Sequence, residues 1–355
     1  MNKMTKKIIL TQLILVFAFT LVQAQSGNES RVGTTAAPFL TLGVGAKGAA
    51  LGHANTINVS GAEAMFWNPA GISIENEGGT YSSSFISVNQ YFVDVDIYGA
   101  AMVIPIGKQP GKNLGFGINY VDYGRMDVRT VENPEGIGAT FGAHDLSMNI
   151  VYAQNLTESF HFGAGVKFIQ QKIYDMVAEA VAIDMGFLLK TNYINGLTIG
   201  ASITNFGDDM QMSGINSNTF VDLDTQHQGN NDAIIGNIKL DSWELPLSFK
   251  FGVMVPAIKQ NNLEFKLLSE IQQTNDNKLN LDSGSELSYL SNTVKFHMRT
   301  GYKDLFLDEN VDSHFTYGAG FTLKTSSGMA IGVDFAQVPY EYLGQTTIVD
   351  VKIYF

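Results

Sequence analysis

The chain ends on the stretch Thr346-Thr347-Ile348-Val349-Asp350-Val351-Lys352-Ile353-Tyr354-Phe355, whose side chains alternate in character at a period of two. One face would carry the apolar or methyl-bearing side chains Thr347, Val349, Val351, Ile353 and Phe355. The opposite face would carry Thr346, Asp350, Lys352 and Tyr354. This pattern predicts a β-strand with one apolar face, and a soluble protein rarely finishes on such a strand.

The same alternation recurs along most of the chain. From Trp243 to Val255, seven large apolar side chains occupy every second position, which is enough for a strand that crosses a membrane. Turn residues separate these runs, as they do in transmembrane barrels. We predict fourteen strands, an even number, near residues 80–88, 94–105, 112–126, 143–155, 159–173, 177–190, 196–206, 244–257, 262–273, 284–291, 293–303, 313–325, 328–338 and 345–355.

The composition agrees with this interpretation. Charged residues make up 16% of the chain, below the roughly 25% that is usual in soluble domains. After residue 22 no run reaches about 18 apolar residues, so helical membrane spanning is excluded and a closed barrel is the remaining way to cross a bilayer. The predicted fold class is all-β, a transmembrane antiparallel β-barrel of about 14 strands with an N-terminal plug in its lumen.

The N-terminus predicts export. Three lysines within the first seven residues precede an apolar stretch from Ile8 to Val22, and compact residues surround a cleavage position at Ala24. This is the pattern of a cleaved secretory signal peptide over residues 1–24, and an uncleaved membrane anchor is the alternative. We expect a mature chain that begins at Gln25 and is exported to the outer membrane of a Gram-negative bacterium.

The charge and the cysteine count exclude other classes. The chain has no cysteine, which excludes acylation as a lipoprotein and excludes disulfides. Burial and ladder hydrogen bonds must therefore hold the fold, and a closed barrel provides them without free strand edges. The formal net charge of −12 disfavours a nucleic-acid partner.

The connections between the predicted strands alternate in length, which predicts their orientation. The short turns belong on the periplasmic side of such barrels and are predicted at 107–111, 155–158, 191–195, 258–261 and 325–328. The longer, outer loops are predicted at 127–142, 207–243, 274–283 and 304–312. On this basis the last strand runs from the outer face to the periplasm and closes against a strand that starts near Thr80.

Glycines occupy the predicted inward face of several strands, opposite the large apolar side chains. They form the pairs Gly115 and Gly117, Gly163 and Gly165, and Gly318 and Gly320. Because glycine lets another backbone approach closely, we expect residues 25–79 to fill the lumen as a plug, with residues 80–355 forming the barrel. The alternative is that the glycines only relieve crowding and permit curvature.

Two stretches of the predicted plug carry a motif. They are Pro38-Phe39-Leu40-Thr41-Leu42-Gly43-Val44-Gly45-Ala46-Lys47-Gly48-Ala49-Ala50-Leu51-Gly52 and Ala64-Met65-Phe66-Trp67-Asn68-Pro69-Ala70-Gly71-Ile72. The step from Asn68 to Pro69 predicts a turn, since proline restricts the backbone and the Asn side chain bonds to nearby backbone. Together with the signal peptide and the terminal strand, these stretches resemble the PorV/PorQ family of outer-membrane proteins, which is related to the FadL fatty-acid channels.

The resemblance implies candidate site residues. The plug motif would comprise Gly43, Gly45, Lys47, Gly52, Trp67, Asn68, Pro69, Ala70 and Gly71, which either pack the lumen or contact a ligand. Lys47 stands where the family more often has arginine, and His53 stands where a second glycine is common. The terminal strand resembles the signal that the β-barrel assembly machinery recognises, with Val349, Val351, Ile353 and Phe355 as its residues.

Two functions follow from the resemblance. In the first, the outer loops bind subunits of the type IX secretion system of Bacteroidetes-type bacteria, or C-terminal domains of exported proteins. In the second, the barrel is a FadL-like channel that passes small hydrophobic molecules along a path lined by Phe39, Leu40, Leu42, Met65 and Phe66. The sequence leaves open a PorV-like role, a PorQ-like role and that of an unassigned paralogue.

Catalytic and metal-binding patterns give no positive signal. The six histidines lie in no catalytic motif, and we expect His161 and His297 to form hydrogen bonds in the lumen. The segment Asp222-x-Asp224-x-Gln226 lacks the glycine and glutamate of a calcium loop, and Asp308, Glu309 and Asp312 resemble a solvated acidic loop. No enzymatic activity, metal or cofactor is therefore expected.

Overall fold

A closed antiparallel barrel of fourteen strands dominates the computed structural model, which describes residues 31–222, 234–305, 314–326, 328–340 and 342–355. The predicted signal peptide lies outside these residues. In chain order the barrel strands are β1 (Ser83–Gln90), β2 (Asp96–Pro105), β3 (Lys112–Asp127), β4 (Thr140–Asn155), β5 (Phe160–Ile173), β6 (Met176–Lys190), β7 (Thr198–Gly207), β8 (Ser248–Gln260), β9 (Leu263–Thr274), β10 (Asn280–Leu290), β11 (Val294–Leu305), β12 (His314–Lys324), β13 (Ala330–Tyr340) and β14 (Gly344–Tyr354).

The barrel closes between its first and last strands. Ser83 of β1 lies opposite Tyr354 of β14 in one direction and opposite Val103 of β2 in the other, so β1 is paired along both edges. The predicted all-β, antiparallel barrel of fourteen strands is confirmed, and the first strand starts at Ser83, three residues later than expected. In the described residues of the wall, closure therefore pairs every barrel strand on both sides.

The alternation in β14 has the predicted consequence for its two faces. Thr346, Asp350, Lys352 and Tyr354 are buried, whereas the alternate residues, among them Val349 and Val351, are exposed on the outside. The same division holds around the wall, where outward side chains are large, apolar and exposed. The outer surface is therefore an apolar belt of the kind that lipid covers.

The long alternating run from Trp243 does not form one strand. β8 starts only at Ser248, and Leu245, predicted to face outward with Trp243, is buried among apolar residues inside the barrel. The backbone departs from the ladder because Asn205 donates to the carbonyl of Pro246 and Asn275 donates to that of Leu245. Side-chain hydrogen bonds thus replace strand pairing over these residues.

The ends of the barrel differ less in loop length than predicted. The loop expected over 274–283 is shorter, and only residues 275–279 lie outside strands. β10 starts at Asn280, which pairs with Gln272 of β9. The long connection between β7 and β8 contains the short strands Met210–Gln211, Ser213–Gly214, Asn218–Val221, Ile234–Asn237 and Ser242–Trp243 and a 3-10 turn at Ile215–Ser217. We call this end of the barrel the long-loop end and the opposite end the short-turn end.

Residues 31–82, here called the N-terminal segment, precede β1 and run through the barrel. At the long-loop end Ala36 donates its N–H to the carbonyl of Glu244, and at the short-turn end Lys295 donates to the carbonyl of Glu77. Its elements are 3-10 turns at Pro38–Thr41, Gly61–Phe66 and Pro69–Ser73 and the α-helix Ala46–Ala50. No helix in the described part of the chain is long and apolar enough to cross a membrane.

The inward glycines have two different roles. At Gly163 a Cβ would lie 2.4 Å from the carbonyl carbon of Pro69, and at Gly301 it would lie 2.1 Å from the nitrogen of Gly52. These positions let the backbone of the N-terminal segment approach the wall. Gly165 and Gly320 instead leave room for Val151 and Asp334 on the neighbouring strands, so the expectation of an approaching segment fails at these two.

Candidate functional site

The motif residues Asn68 and Pro69 connect the N-terminal segment to the wall. Asn68 is fully buried; its Oδ1 accepts the N–H of Ala70 at 3.1 Å, which begins the 3-10 turn Pro69–Ser73. Its Nδ2 donates to the carbonyl of Thr56 at 2.9 Å and to that of Phe187 in β6 at 3.2 Å. The predicted turn is therefore present, and one side chain satisfies backbone groups of both the segment and the barrel.

Trp67 is the centre of a second set of contacts. Its indole Nε1 donates to the carbonyl of Val44 at 2.8 Å, and its ring meets His53 edge-on with centroids 5.5 Å apart. Gly43 and Gly48 pack against the same ring, where a Cβ would come within 2.6 Å and 2.1 Å of it. The two glycine-rich and Trp-containing stretches of the motif therefore form one packed unit.

The remaining motif residues occupy special backbone positions. Gly45 precedes the helix Ala46–Ala50 with φ of 108°, and Gly52 follows it with φ of 63°. His53 also has a positive φ, 69°, a region that side chains with a Cβ disfavour. His53, which stands where the PorV/PorQ pattern that the sequence resembles often has a second glycine, thus has a conformation that favours glycine. Gly71 packs against Ala64 and Val59.

Charged side chains of the wall hold the segment at three points. Asp350 of β14 accepts the N–H of Ala46 at 2.5 Å. Glu270 of β9 accepts two hydrogen bonds from Thr56. Lys352 of β14 pairs with Glu63 of the segment at 2.5 Å. Since all these groups are buried, the contacts are charge-assisted hydrogen bonds in a low dielectric.

The inward face from β10 to β14 also carries a chain of buried ion pairs. Arg299 lies between Glu286, at 2.6 Å, and Asp334, and Lys352 reaches Asp334 at 2.7 Å. Buried charged residues thus share the inward face with the glycines of the same strands. The sequence signal for inward charges is a charged residue at every second position between outward apolar side chains. Asp350 and Lys352 show it in the terminal strand.

Two cavities open at the long-loop end. The larger, of about 660 Å³, is lined by Val93, Val95, Tyr123, Gly124, Ala143 and Ile173 among others. The second, of about 470 Å³, is lined by Ala36, Ala178, Met210 and Trp243 among others. Gln171 and Met212 border both, so we treat them as one site, the long-loop cavities. Most of these side chains are apolar.

The larger cavity meets the wall at a bulge in β3. The register passes from Asp122 opposite His144 to Arg125 opposite Gly142, which leaves Tyr123, Gly124 and Ala143 outside the β3–β4 ladder. A bulge of two residues against one interrupts pairing and bends the strand. All three residues left out of this ladder line the cavity, so the interruption and the cavity coincide.

A polar group links this site to the N-terminal segment. Asp145 accepts hydrogen bonds from the hydroxyl of Tyr123 at 2.7 Å and from Nε2 of Gln171 at 3.1 Å. The Oε1 of Gln171 accepts the N–H of Ala37 at 2.9 Å. The N-terminal segment therefore holds Gln171, which lines both cavities, by a hydrogen bond.

The predicted hydrophobic path divides into two clusters. Phe39, Leu40 and Leu42 pack with Met210, Met212, Tyr123 and other residues of the long-loop cavities. Met65 and Phe66 belong to a separate cluster around Trp67, deeper in the barrel. The five residues therefore do not share one cluster.

Serine and histidine do come together in the lumen. Ser73 Oγ lies 2.9 Å from Nδ1 of His161, and Ser288 Oγ lies 2.7 Å from Nδ1 of His297. Both histidines form lumen hydrogen bonds, as expected. The Nε2 of His297 is 3.4 Å from Glu77, so Ser288, His297 and Glu77 form a serine–histidine–carboxylate arrangement. Ser288, however, is 0% exposed. A nucleophile without access to substrate fits a structural role.

Among the described residues, no group of three or more His, Cys, Asp and Glu is placed to hold a metal ion. The acidic residues Asp224, Asp308, Glu309 and Asp312, and the neighbouring Gln226, lie outside the described residues.

Comparison with known proteins finds similarity in structure alone. No protein-family model and no curated protein matches the sequence. Among solved structures, the CymD monoaromatic hydrocarbon channel has a TM-score of 0.55 at 11% identity, over 88% of this chain and 96% of that one. The toluene transporter TodX of Pseudomonas putida has a TM-score of 0.52 at 11% identity, over 86% and 95%.

A FadL homologue of Pseudomonas aeruginosa has a TM-score of 0.50 at 9% identity, over 87% of this chain and 97% of that one. The chain therefore shares the fold of these barrels over nearly their whole length. Two of them are described as transport proteins and none as an enzyme.

Proposed function

We propose that the chain is an outer-membrane channel that admits small hydrophobic molecules at its long-loop end. The supporting observation is the apolar cavity of about 660 Å³ that meets the wall at the β3 bulge. A hydrophobic solute gains free energy by leaving water for such a cavity. The monoaromatic hydrocarbon and toluene proteins that share the fold point to small aromatic compounds as the first substrates to test.

Passage through the lumen requires the N-terminal segment to move. Below the long-loop cavities, the cluster around Trp67 is closely packed, and Asp350, Glu270 and Lys352 hold the segment to the wall. We propose that the segment acts as a hatch which shifts locally while these contacts keep it in the barrel. The short-turn end would face the periplasm, as in barrels of this kind.

Uptake of radiolabelled toluene tests this function. The host is a bacterial strain in which transport across the outer membrane limits uptake. Cells that produce the protein should take up toluene faster than cells with an empty vector. Glucose uptake provides the control for general leakiness. Equal toluene rates with and without the protein would overturn the proposal.

We also propose the location and the maturation route. Residues 1–24 would direct export and be removed, and Val349, Val351, Ile353 and Phe355 would be recognised by the β-barrel assembly machinery. Lipid of the outer membrane would cover the apolar belt of the wall. Fractionation of cell envelopes, with mass measurement of the mature N-terminus, checks both points.

A second candidate is an accessory role in type IX secretion, as the PorV/PorQ resemblance implies. The observation that favours it is the hairpin Asn218–Val221 and Ile234–Asn237 at the long-loop end, where Phe220 is 74% and Ile235 69% exposed. Exposed apolar side chains on an outer loop suit a protein partner. Co-purification of secretion subunits or cargo domains from native membranes, lost on shortening this hairpin, would support it; normal secretion after gene deletion would contradict it.

A further inference from the structure

A third cavity, of about 300 Å³, lies at the short-turn end, remote from the long-loop cavities. It lies among the last residue of β6, the first of β7, and the N-terminal segment where that segment leaves the lumen. Lys190 and Glu75 on its border are exposed, so it opens to solvent. We call it the short-turn cavity.

Lysines dominate the charge around this cavity. Lys47, Lys190, Lys266 and Lys295 line it, against two carboxylates, Glu75 and Glu77. Lys266 is already paired with Glu286 at 3.0 Å and with Glu264 at 3.6 Å, and Glu77 lies 3.4 Å from His297. The other three lysines have no carboxylate within ion-pair distance among the described residues, so the cavity carries excess positive charge.

Lys47 is the least compensated of these cations. It is only 5% exposed, yet in the described part of the chain its ammonium forms neither a hydrogen bond nor an ion pair. Burial lowers the pKa of Lys47 from its usual value, and the more distant carboxylates of Glu63, Glu286 and Glu77 oppose this only in part. The ammonium of this largely buried residue reaches the cavity, where an opposite charge would compensate it.

The rest of the lining is apolar on one side. Ile57, Val59, Ile74 and Met254 border the same space, with Asn58 and Thr198 as neutral polar groups. A free inorganic ion would leave these side chains without a contact. A ligand with a charged end and a compact apolar body would satisfy both sides.

We propose that the short-turn cavity binds a small organic anion, a carboxylate or phosphate ester joined to a compact apolar group. Lys47, Lys190 and Lys295 would surround the anionic end, and Ile57, Val59 and Met254 would contact the apolar body. This site is separate from hydrocarbon entry at the other end, and it holds whether or not toluene crosses the barrel.

Three aromatic probes of similar size test the site on the purified full-length barrel in a neutral detergent, by titration calorimetry. They are benzoate, benzyl alcohol and benzylamine. We expect benzoate to bind about tenfold more tightly than benzyl alcohol, which is the discrimination that a hydrogen bond to a charged group provides. Benzylamine should not bind. Equal affinity for benzoate and benzyl alcohol would overturn the proposal.

Inorganic phosphate tests the apolar part of the site. It should compete with benzoate only weakly, because it makes no contact with Ile57, Val59 or Met254. Phosphate that displaces benzoate at equal concentration would overturn the requirement for an apolar body.

Lysine variants locate the binding. Lys47→Met keeps an unbranched side chain one atom shorter and removes the charge, and it should weaken benzoate binding about tenfold. Lys190→Met lies at an exposed position, so we expect it to fold. It should weaken benzoate binding severalfold, and it replaces Lys47→Met as the test if that variant does not fold. Lys108→Met, an exposed lysine of a short turn outside the cavity, is the matched control.

Unchanged benzoate affinity in Lys190→Met, and in Lys47→Met where it folds, would overturn the assignment. Since binding is measured on purified protein, a failure of toluene uptake in cells would count against the channel and leave this result standing.

Discussion

Glu270 of the barrel wall accepts two hydrogen bonds from Thr56 of the N-terminal segment, one from the backbone N–H and one from the hydroxyl, both at 2.8 Å. Glu270 is 0% exposed and Lys250 lies 3.7 Å from its carboxylate. One wall residue thus satisfies two donors of the segment, and the ammonium of Lys250 compensates its charge.

Replacing this carboxylate should loosen the segment. Glu270→Gln turns an acceptor oxygen into a donor group facing Thr56 and leaves Lys250 without its partner, so we expect a loss of about 2 kcal/mol in the free energy of unfolding. Urea unfolding in detergent, followed by heat-modifiable electrophoretic mobility, measures it. Glu179→Gln, at an exposed position of β6, should leave the midpoint unchanged; equal losses in both variants would contradict the assigned contact.

Gly163, which lies against the backbone of Pro69, should not tolerate a side chain. At Gly163 a Cβ would lie 2.4 Å from the carbonyl carbon and 2.5 Å from the oxygen of Pro69, both backbone atoms. Gly163→Ala should therefore cost about 1–3 kcal/mol through overpacking. Gly142→Ala is the control, since its added Cβ would lie 3.7 Å from the nearest atom. Its free energy of unfolding should equal that of the wild type. A Gly163→Ala barrel as stable as wild type would show that the segment does not press on the wall.

The indole N–H of Trp67 should contribute to stability beyond its ring. Trp67→Phe removes the donor to the carbonyl of Val44 and part of a ring on which Gly43 and Gly48 pack. We expect a loss of about 2 kcal/mol, from one buried hydrogen bond and a small cavity. Trp243→Phe, at a 52% exposed position, should change the unfolding midpoint little. Indistinguishable midpoints would argue against a packed Trp67 unit.

Filling the long-loop cavities should slow uptake. Met212 borders both of them, so Met212→Trp would occupy space in each and should reduce toluene uptake severalfold without lowering the amount of barrel in the membrane. Met148→Trp places the same ring on the outward face of β4, where Met148 is 46% exposed. If both variants take up toluene at the wild-type rate, entry does not use these cavities.

The terminal residue should affect assembly more than stability. Phe355 is 44% exposed and its N–H donates to the carbonyl of Ser82 at 3.3 Å. Deleting Phe355 should reduce the fraction of heat-modifiable barrel in outer membranes, while the barrels that do assemble unfold at the wild-type urea midpoint. Phe321→Ala, at an outward position of the same 44% exposure, is the control. Equal assembly of all three proteins would remove Phe355 as a signal.

The sequence by itself determined the wall. Alternation in a strand is a local property, because neighbouring side chains point to opposite faces, so Val349 and Asp350 reveal their own faces without knowledge of any partner. The fourteen strands and the outward apolar belt follow from it. The short turns between consecutive strands make them antiparallel. Where alternation misled, at Leu245, hydrogen bonds from Asn205 and Asn275 on distant parts of the chain overrode it.

Only the tertiary structure decided what lies inside. The partners of the N-terminal segment are hundreds of residues away in sequence, as Ala46 is from Asp350 and Thr56 is from Glu270. Alternation shows that Asp350 and Lys352 face inward, but it does not show which charges pair in the buried network. The two separate clusters around Phe39 and Met65 and the convergence of lysines on the short-turn cavity have no local pattern either. They arise because barrel closure brings distant strands together around one lumen, which no period along the chain encodes.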